Sequence, residues 1–186
     1  LSEVCSDVGT AHGEYHRQYT GCLKKMGLLM FDLGQLADAE RTFLLISERM
    51  GFANPGVNEF TLENLTLLAD VYRQQGRYAE SQELLAGVAE LSVLAGEVES
   101  LMVAKSYQGA NFNILGELTM AQMVTEDVLD YGYRHWADSP DTAENLYNNQ
   151  LSLGDIYRRL GKLPDAEALI EGARVGLSPT YGALVP

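Results

Sequence analysis

One short pattern recurs four times along the 186 residues, and its period constrains the fold more than any other feature of the chain. Each copy contains a glycine, a leucine or tyrosine two residues later, an alanine or serine five residues later, and then a glutamate or glutamine. The glycines are Gly34, Gly76, Gly116 and Gly161, at spacings of 42, 40 and 45 residues. Such a period is typical of a chain built from stacked copies of one supersecondary unit.

The residues around each glycine also correspond between copies. A small residue stands seven positions before the glycine: Gly27, Ala69, Gly109 and Gly154. A bulky residue stands four positions before it: Met30, Tyr72, Phe112 and Tyr157. Apolar residues recur at helical spacing on both sides, so each copy predicts two helices joined by a short turn that the glycine closes. The small residues before and after the turn predict a close approach of the two helices.

These positions resemble the signature of the tetratricopeptide repeat (TPR), and the long period resembles its kinesin-light-chain-like branch. The resemblance covers residues 14–176. It implies an all-α fold, a right-handed α-solenoid of about four TPR-like helix-turn-helix repeats. Similar units occur in kinesin light chains and in multidomain signalling ATPases.

The repeat positions also predict how the chain is divided. The expected segments are 1–13 (an N-terminal segment or the end of a preceding repeat), 14–56, 57–98, 99–141 and 142–176 (repeats 1 to 4), and 177–186 (a C-terminal tail). The third repeat departs from the family pattern, because Lys105 and Gln108 stand where large apolar residues are usual. Its register is therefore the one open to a shift of a few residues.

Charge and composition exclude several classes of partner. Thirteen basic residues against 26 acidic ones give a net charge of −13, and a ligand with a phosphate backbone requires a basic surface, so no nucleic acid is expected. The sequence contains no apolar run long enough for a membrane span. The first residues also lack the basic start and apolar middle of a signal peptide, and the first residue is not Met. We therefore expect an acidic protein of the cytoplasm or another reducing compartment, and a fragment of a longer chain.

Metal and catalytic chemistry are not predicted. Cys5, Cys22, His12 and His16 form a conceivable zinc set, but the chain has no Cys-x-x-Cys spacing, and two cysteines in a reducing compartment are usually buried or idle thiols. We find no nucleophile–base pair and no phosphate-binding loop in the sequence. The sequence thus predicts no metal, no cofactor and no enzyme activity.

The family resemblance also implies a binding surface, in which first helices line a concave groove and second helices form the back. The groove positions, transferred residue by residue, are Lys24, Lys25, Phe31, Asp32, Glu63, Asp70, Arg73, Gln74, Tyr107, Asn113, Asn148, Asp155, Arg158 and Arg159. Five of these are basic and four acidic, a net of +1 in a chain of −13. The relative positivity favours an acidic peptide or a terminal carboxylate as ligand, held by Lys24 and Lys25 at one end and by Arg158 and Arg159 at the other.

A second interpretation of these cations stays open. They would then only balance neighbouring carboxylates, as Asp155 would balance Arg158 or Arg159 at helical spacing. The function expected from shape is a protein-interaction scaffold or adaptor that binds a peptide or partner segment. Two alternatives are a structural subunit of a large multiprotein assembly and a TPR sensor or regulatory region of a multidomain signalling ATPase.

Overall fold

The computed structural model describes residues 17–53, 57–136 and 140–181, together with Cys5, Asp7 and Thr10. Within those ranges, helices are joined by short turns and links, and no strand occurs. The helices are α1 (Arg17–Asp32), α2 (Leu36–Ala53), α3 (Glu59–Gln74), α4 (Tyr78–Ala95), α5 (Val98–Leu115), α6 (Leu118–His135), α7 (Pro140–Arg159) and α8 (Leu163–Tyr181). Of the helices in the described part of the chain, none is both long and apolar enough to span a membrane.

The four recurring glycines close the first helix of each hairpin. Their φ angles are 72°, 79°, 82° and 79°, in the left-handed region that glycine adopts without steric cost. In the second hairpin, the amide of Gly76 donates to the carbonyl of Arg73, and the amide of Arg77 donates to the carbonyl of Tyr72 at 2.8 Å. The other three turns repeat both bonds. This double closure uses carbonyls that a helix end would otherwise leave unpaired, and it confirms the predicted role of the glycines.

The chain divides into two compact units, residues 1–104 and 105–186, so the division falls within α5. In the first unit, α1 packs on α2, α2 on α3, and α3 on α4. Its core contains Leu23, Ala39, Phe43, Ile46, Leu68 and Val71. The backbone of Gly27 lies against this core so closely that an added Cβ would be 2.9 Å from the ring of Phe43. The helices of the first hairpin therefore touch through a position without a side chain.

The second unit uses the same construction. Helix α6 packs on α7, and α7 on α8. A Cβ added at Gly109 would be 2.6 Å from Oγ1 of Thr125, and one added at Gly154 would be 2.7 Å from Cγ1 of Ile170. Four small residues named by the repeat pattern, Ala39, Ala69, Ala121 and Gly154, are all buried. The prediction of close helix packing through small residues is confirmed.

The two cysteines are not thiols, so that expectation is wrong. Cys5 and Cys22 form a disulfide with a Cα–Cα distance of 5.5 Å, and Cys5 is buried in the core of the first unit. Their sulfurs are therefore not available as thiolate ligands, while His12 and His16 lie outside the described residues. Disulfides persist mainly in oxidising compartments, whereas the sequence predicted a reducing one. The compartment of this protein stays a prediction.

The last helix continues further than the repeat pattern suggested. Helix α8 ends at Tyr181, so residues 177–181 of the expected C-terminal tail are helical. Proline is tolerated poorly inside a helix because it lacks an amide donor, yet α8 runs through Pro179. The repeat boundaries themselves stay predictions.

Candidate partner-binding surfaces

All the residues predicted to line a binding groove lie on the first helices of the four hairpins. Helix α1 carries Lys24, Lys25, Phe31 and Asp32; α3 carries Glu63, Asp70, Arg73 and Gln74; α5 carries Tyr107 and Asn113; α7 carries Asn148, Asp155, Arg158 and Arg159. Within each unit the structure brings some of these residues together and leaves others apart.

In the first unit, Lys24 connects two first helices. Its Nζ pairs with the carboxylate of Glu63 and lies 5.1 Å from the centre of the Phe60 ring. The side chain of Lys24 is only 16% exposed as a result. Lys25, the next residue, is exposed. Of the two lysines proposed to hold a ligand, Lys24 is thus already used in joining α1 to α3.

Arg73 and Asp70 form a second pair in the first unit. Nε of Arg73 donates to Oδ1 of Asp70 at 2.9 Å, and Asp70 is 7% exposed. Burial raises the pKa of Asp70, and the charge and hydrogen bonds of Arg73 oppose that shift. Asp70 is thus paired within its own helix, and little of its carboxylate is exposed for contact with a ligand.

In the second unit, Asp155 is the centre of a polar cluster that joins α5 to α7. Its Oδ2 accepts from Nδ2 of Asn113 at 3.0 Å, and its Oδ1 accepts from Nη2 of Arg158 at 2.6 Å. These two hydrogen bonds, that of Asn113 first, lower the pKa of Asp155. Arg159 donates from Nη1 to Oδ1 of Asn113 at 2.5 Å and to the carbonyl of the same residue.

This pairing agrees with the interpretation that the basic residues balance their neighbours. It does not occupy all the N–H donors of Arg158 and Arg159. The side chain of Arg158 is 62% exposed, and Arg159 is also exposed. A guanidinium has five N–H donors, so each arginine keeps donors that face solvent beside its internal bonds. Asn148 is exposed and Tyr107 is half-buried.

Two buried asparagines, which the repeat pattern did not single out, join neighbouring helices: Asn64 joins α3 to α2, and Asn149 joins α7 to α5. Nδ2 of Asn64 donates to the carbonyl of Phe43 at 3.0 Å and to Oγ of Ser47 at 2.8 Å. Nδ2 of Asn149 donates to Oγ of Ser106 at 3.1 Å. Both asparagines stand twelve residues before the glycine of their repeat, and this correspondence could have identified them.

A polar network between hairpins was also missed in the first unit. Arg77, which directly follows a turn glycine, donates from Nη1 to Oε1 of Glu40 at 2.8 Å and from Nε to Oε1 of Glu80 at 2.8 Å. Its guanidinium lies 4.0 Å from the centre of the Tyr72 ring. The hydrogen bond from Arg77 lowers the pKa of Glu40, and Gln75 contributes a second bond.

The second unit has a related network at the same repeat positions. Lys162 follows its turn glycine, lies 4.9 Å from the centre of the Tyr157 ring, and donates to Oε1 of Gln122 at 3.0 Å. Gln122 and Glu40 occupy the same position, six residues after their glycines. In these two copies, the glutamate or glutamine of the sequence pattern therefore binds the basic residue that follows the next repeat's glycine. The basic residue after Gly76 and Gly161 was the sequence feature that could have predicted it.

Comparison with known proteins agrees with the repeat architecture. Residues 65–86 match the sequence model of the tetratricopeptide repeat family. No curated protein matches the chain in sequence. Crystal structures with the same fold include BtubC (BKLC) from P. vanneervenii, with a TM-score of 0.71, 17% identity, and coverage of 90% of this chain and 66% of that one.

A second similar structure is a "putative kinesin light chain" from Podosopora anserina with nearly identical TPR-like repeats. It has a TM-score of 0.68 and 17% identity over 96% of this chain and 84% of that one. A variant of the same protein has a TM-score of 0.70 and 17% identity over 97% and 84% of the two chains. Residues 65–86 thus match one tetratricopeptide repeat, and the chain has the all-α fold of TPR solenoids, as the sequence predicted.

Proposed function

We propose that this chain is a protein-interaction scaffold, and that exposed side chains on its first helices bind an acidic segment of a partner protein. TPR folds generally serve as protein-binding scaffolds, and the role proposed here is binding rather than catalysis. The proposal of an acidic ligand rests on the exposure of Arg158 and Arg159, the α7 arginines, in a chain of net charge −13.

The α7 arginines support this choice better than Lys24 of α1 does. Lys24 is covered by Glu63 and Phe60, whereas the α7 arginines keep free donors on the surface. Asn113 holds Arg159 in place, which reduces the conformational entropy lost when a carboxylate binds. An acidic segment would add charge-assisted hydrogen bonds to these guanidinium groups.

A random-peptide display selection on the intact chain tests the proposal. We expect the enriched peptides to be rich in Asp and Glu. The double variant Arg158→Glu, Arg159→Glu should bind a selected peptide roughly tenfold more weakly, since each exposed ion pair contributes up to ~1 kcal/mol.

The matched control is the double variant Arg41→Glu, Arg174→Glu on second helices. Both arginines are exposed and each pairs with an acid three residues earlier, as Arg158 does with Asp155. The control should bind as the unmodified chain does. A selection without acidic enrichment, or equal binding by the reversed variant, contradicts the acidic ligand.

A structural subunit of a larger assembly is the second candidate, favoured by exposed apolar side chains in the last hairpin. Leu163, Ile170 and Val175 are 55%, 40% and 59% exposed. If these side chains form one contiguous patch, that patch would be typical of a surface that another protein covers. Sedimentation of the isolated chain discriminates: a soluble monomer with reversible peptide affinity favours the adaptor, and concentration-dependent self-association favours the subunit.

A further inference from the structure

The second unit contains an open pocket whose lining includes neither of the α7 arginines. It has a volume of about 550 Å³ and lies among α6, α7 and α8. Its apolar wall is formed by Leu129, Leu153 and Leu169, of which the first two are 3% and 4% exposed. Leu129 and Leu153 therefore form the closed base of the pocket, and the half-buried Leu169 is the leucine that solvent reaches.

The same pocket is acidic. Glu126, Asp130 and Asp165 contribute to its lining, whereas none of the described residues that line it is basic. Asp130 pairs with Arg134, which lies outside the lining. The other two carboxylates thus set the charge of the pocket.

Within the part of the chain that the structure describes, neither of those two carboxylates is paired with a cation. Oε1 of Glu126 accepts from the Tyr157 hydroxyl at 2.6 Å and from Nε2 of Gln122 at 2.7 Å, and both donors are neutral. Burial and the nearby charges of Glu126 and Asp165 raise the pKa of Tyr157 to about 12. Lys162 is close by, but it donates to Gln122 and lies over the Tyr157 ring.

The first unit provides an internal contrast. Glu80 stands four residues after its turn glycine, as Asp165 does in the second unit. Glu80 is held by Arg77 through two hydrogen bonds, at 2.8 and 2.5 Å. Asp165 makes no such pair among the described residues, so its charge is available to a ligand.

We propose that this pocket binds a partner segment in which a lysine or arginine is next to an apolar residue. The aliphatic stem of the basic residue and the apolar neighbour would contact the leucine wall, and the cationic end would reach Glu126 and Asp165. Charge complementarity selects this occupant, because an acidic segment would meet two unneutralised carboxylates. The chain would then carry two surfaces with opposite charge preference, and this second surface does not depend on the function proposed above.

A labelled hexapeptide of alternating lysine and leucine, with both ends blocked, is the probe. It is titrated into the intact ¹⁵N-labelled chain at low salt and followed by amide chemical shifts and fluorescence anisotropy. We expect the shifts to concentrate at Leu129, Leu153, Leu169 and their neighbours. A peptide with glutamate in place of lysine, and one with serine in place of leucine, should each bind at least several-fold more weakly.

The variant Glu126→Gln, Asp165→Asn keeps the shape of both side chains and should weaken binding roughly tenfold, a range expected for two partly exposed charge contacts. The control Glu83→Gln, Glu90→Gln removes the same charge from exposed positions of α4 and should bind normally. Equal weakening by both variants would mean general attraction of a basic peptide to an acidic protein, and it would overturn the proposal. Shifts spread over the whole chain, or binding by the serine peptide as tight as by the leucine peptide, would overturn it too.

Discussion

Substituting Gly27 by alanine tests the close packing of helices at a single atom. The added Cβ would lie 2.9, 3.0 and 3.3 Å from three atoms of the Phe43 ring, where carbon atoms in contact prefer about 3.5–4.0 Å. Phe43 is 1% exposed and has little room to move. We therefore expect overpacking to cost about 1–3 kcal/mol of the free energy of unfolding.

Gly21 in the same helix is the matched control. A Cβ there would meet no atom within 4 Å, so Gly21→Ala should only gain helix propensity, about 1 kcal/mol. Gly27→Ala gains the same propensity, and the difference between the two variants isolates the overpacking. Urea denaturation followed by circular dichroism gives that difference, with the disulfide kept oxidised in both proteins.

A second substitution identifies the contact responsible. Phe43→Leu removes the ring that the new methyl group would meet, and in the double variant the cost of Gly27→Ala should become much smaller. The two changes should therefore be coupled in a double-mutant cycle. If Gly27→Ala proves as stable as Gly21→Ala, the proposed closeness of α1 and α2 is refuted.

Three further predictions concern other contacts. Replacing Cys5 and Cys22 by serine should lower the free energy of unfolding by about 3 kcal/mol, as expected for a closed loop of this length, and identical urea midpoints would contradict the disulfide. Glu40→Gln should destabilise the chain at neutral pH, with a difference from the unmodified protein that shrinks below pH 4.5. The reason is that Arg77 lowers the pKa of Glu40. The stability that this pair contributes is therefore present above the usual carboxyl pKa and is lost as the carboxylate of the folded protein takes up a proton. A stability difference that does not depend on pH would argue against the pair. Tyr157→Phe should remove one phenol with a pKa of about 12 from the ultraviolet titration, and loss of a phenol with an ordinary pKa near 10 would contradict its bond to Glu126.

The features that the sequence predicted correctly are those that depend on local backbone chemistry. A left-handed turn residue needs glycine, and a close helix crossing needs a small side chain, so Gly76 and Gly154 could be assigned from their spacing alone. The fold follows because four copies of this local unit leave one apolar face each to bury against a neighbour.

The disulfide and the ion pair between α1 and α3 depended on distances that the sequence does not contain, whereas the pair of Asp155 with Arg158 could be predicted from helical spacing. Cys5 and Cys22 are separated by 17 residues, and only the position of Cys5 against α1 brings their Cα atoms to 5.5 Å. Lys24 was predicted as a ligand contact, but its partner Glu63 lies on another helix, and the sequence pattern gave no measure of that separation. The role of the α7 arginines accordingly stays a proposal.

Hydrogen exchange of the intact chain, measured with and without a display-selected acidic peptide, tests the scaffold proposal most directly. Amides at the C-terminal end of α7, around Arg158 and Arg159, should become more protected when the peptide binds, while those of the second helices α6 and α8 stay unchanged. Protection confined to α6 and α8, with none in α7, would contradict binding through first helices.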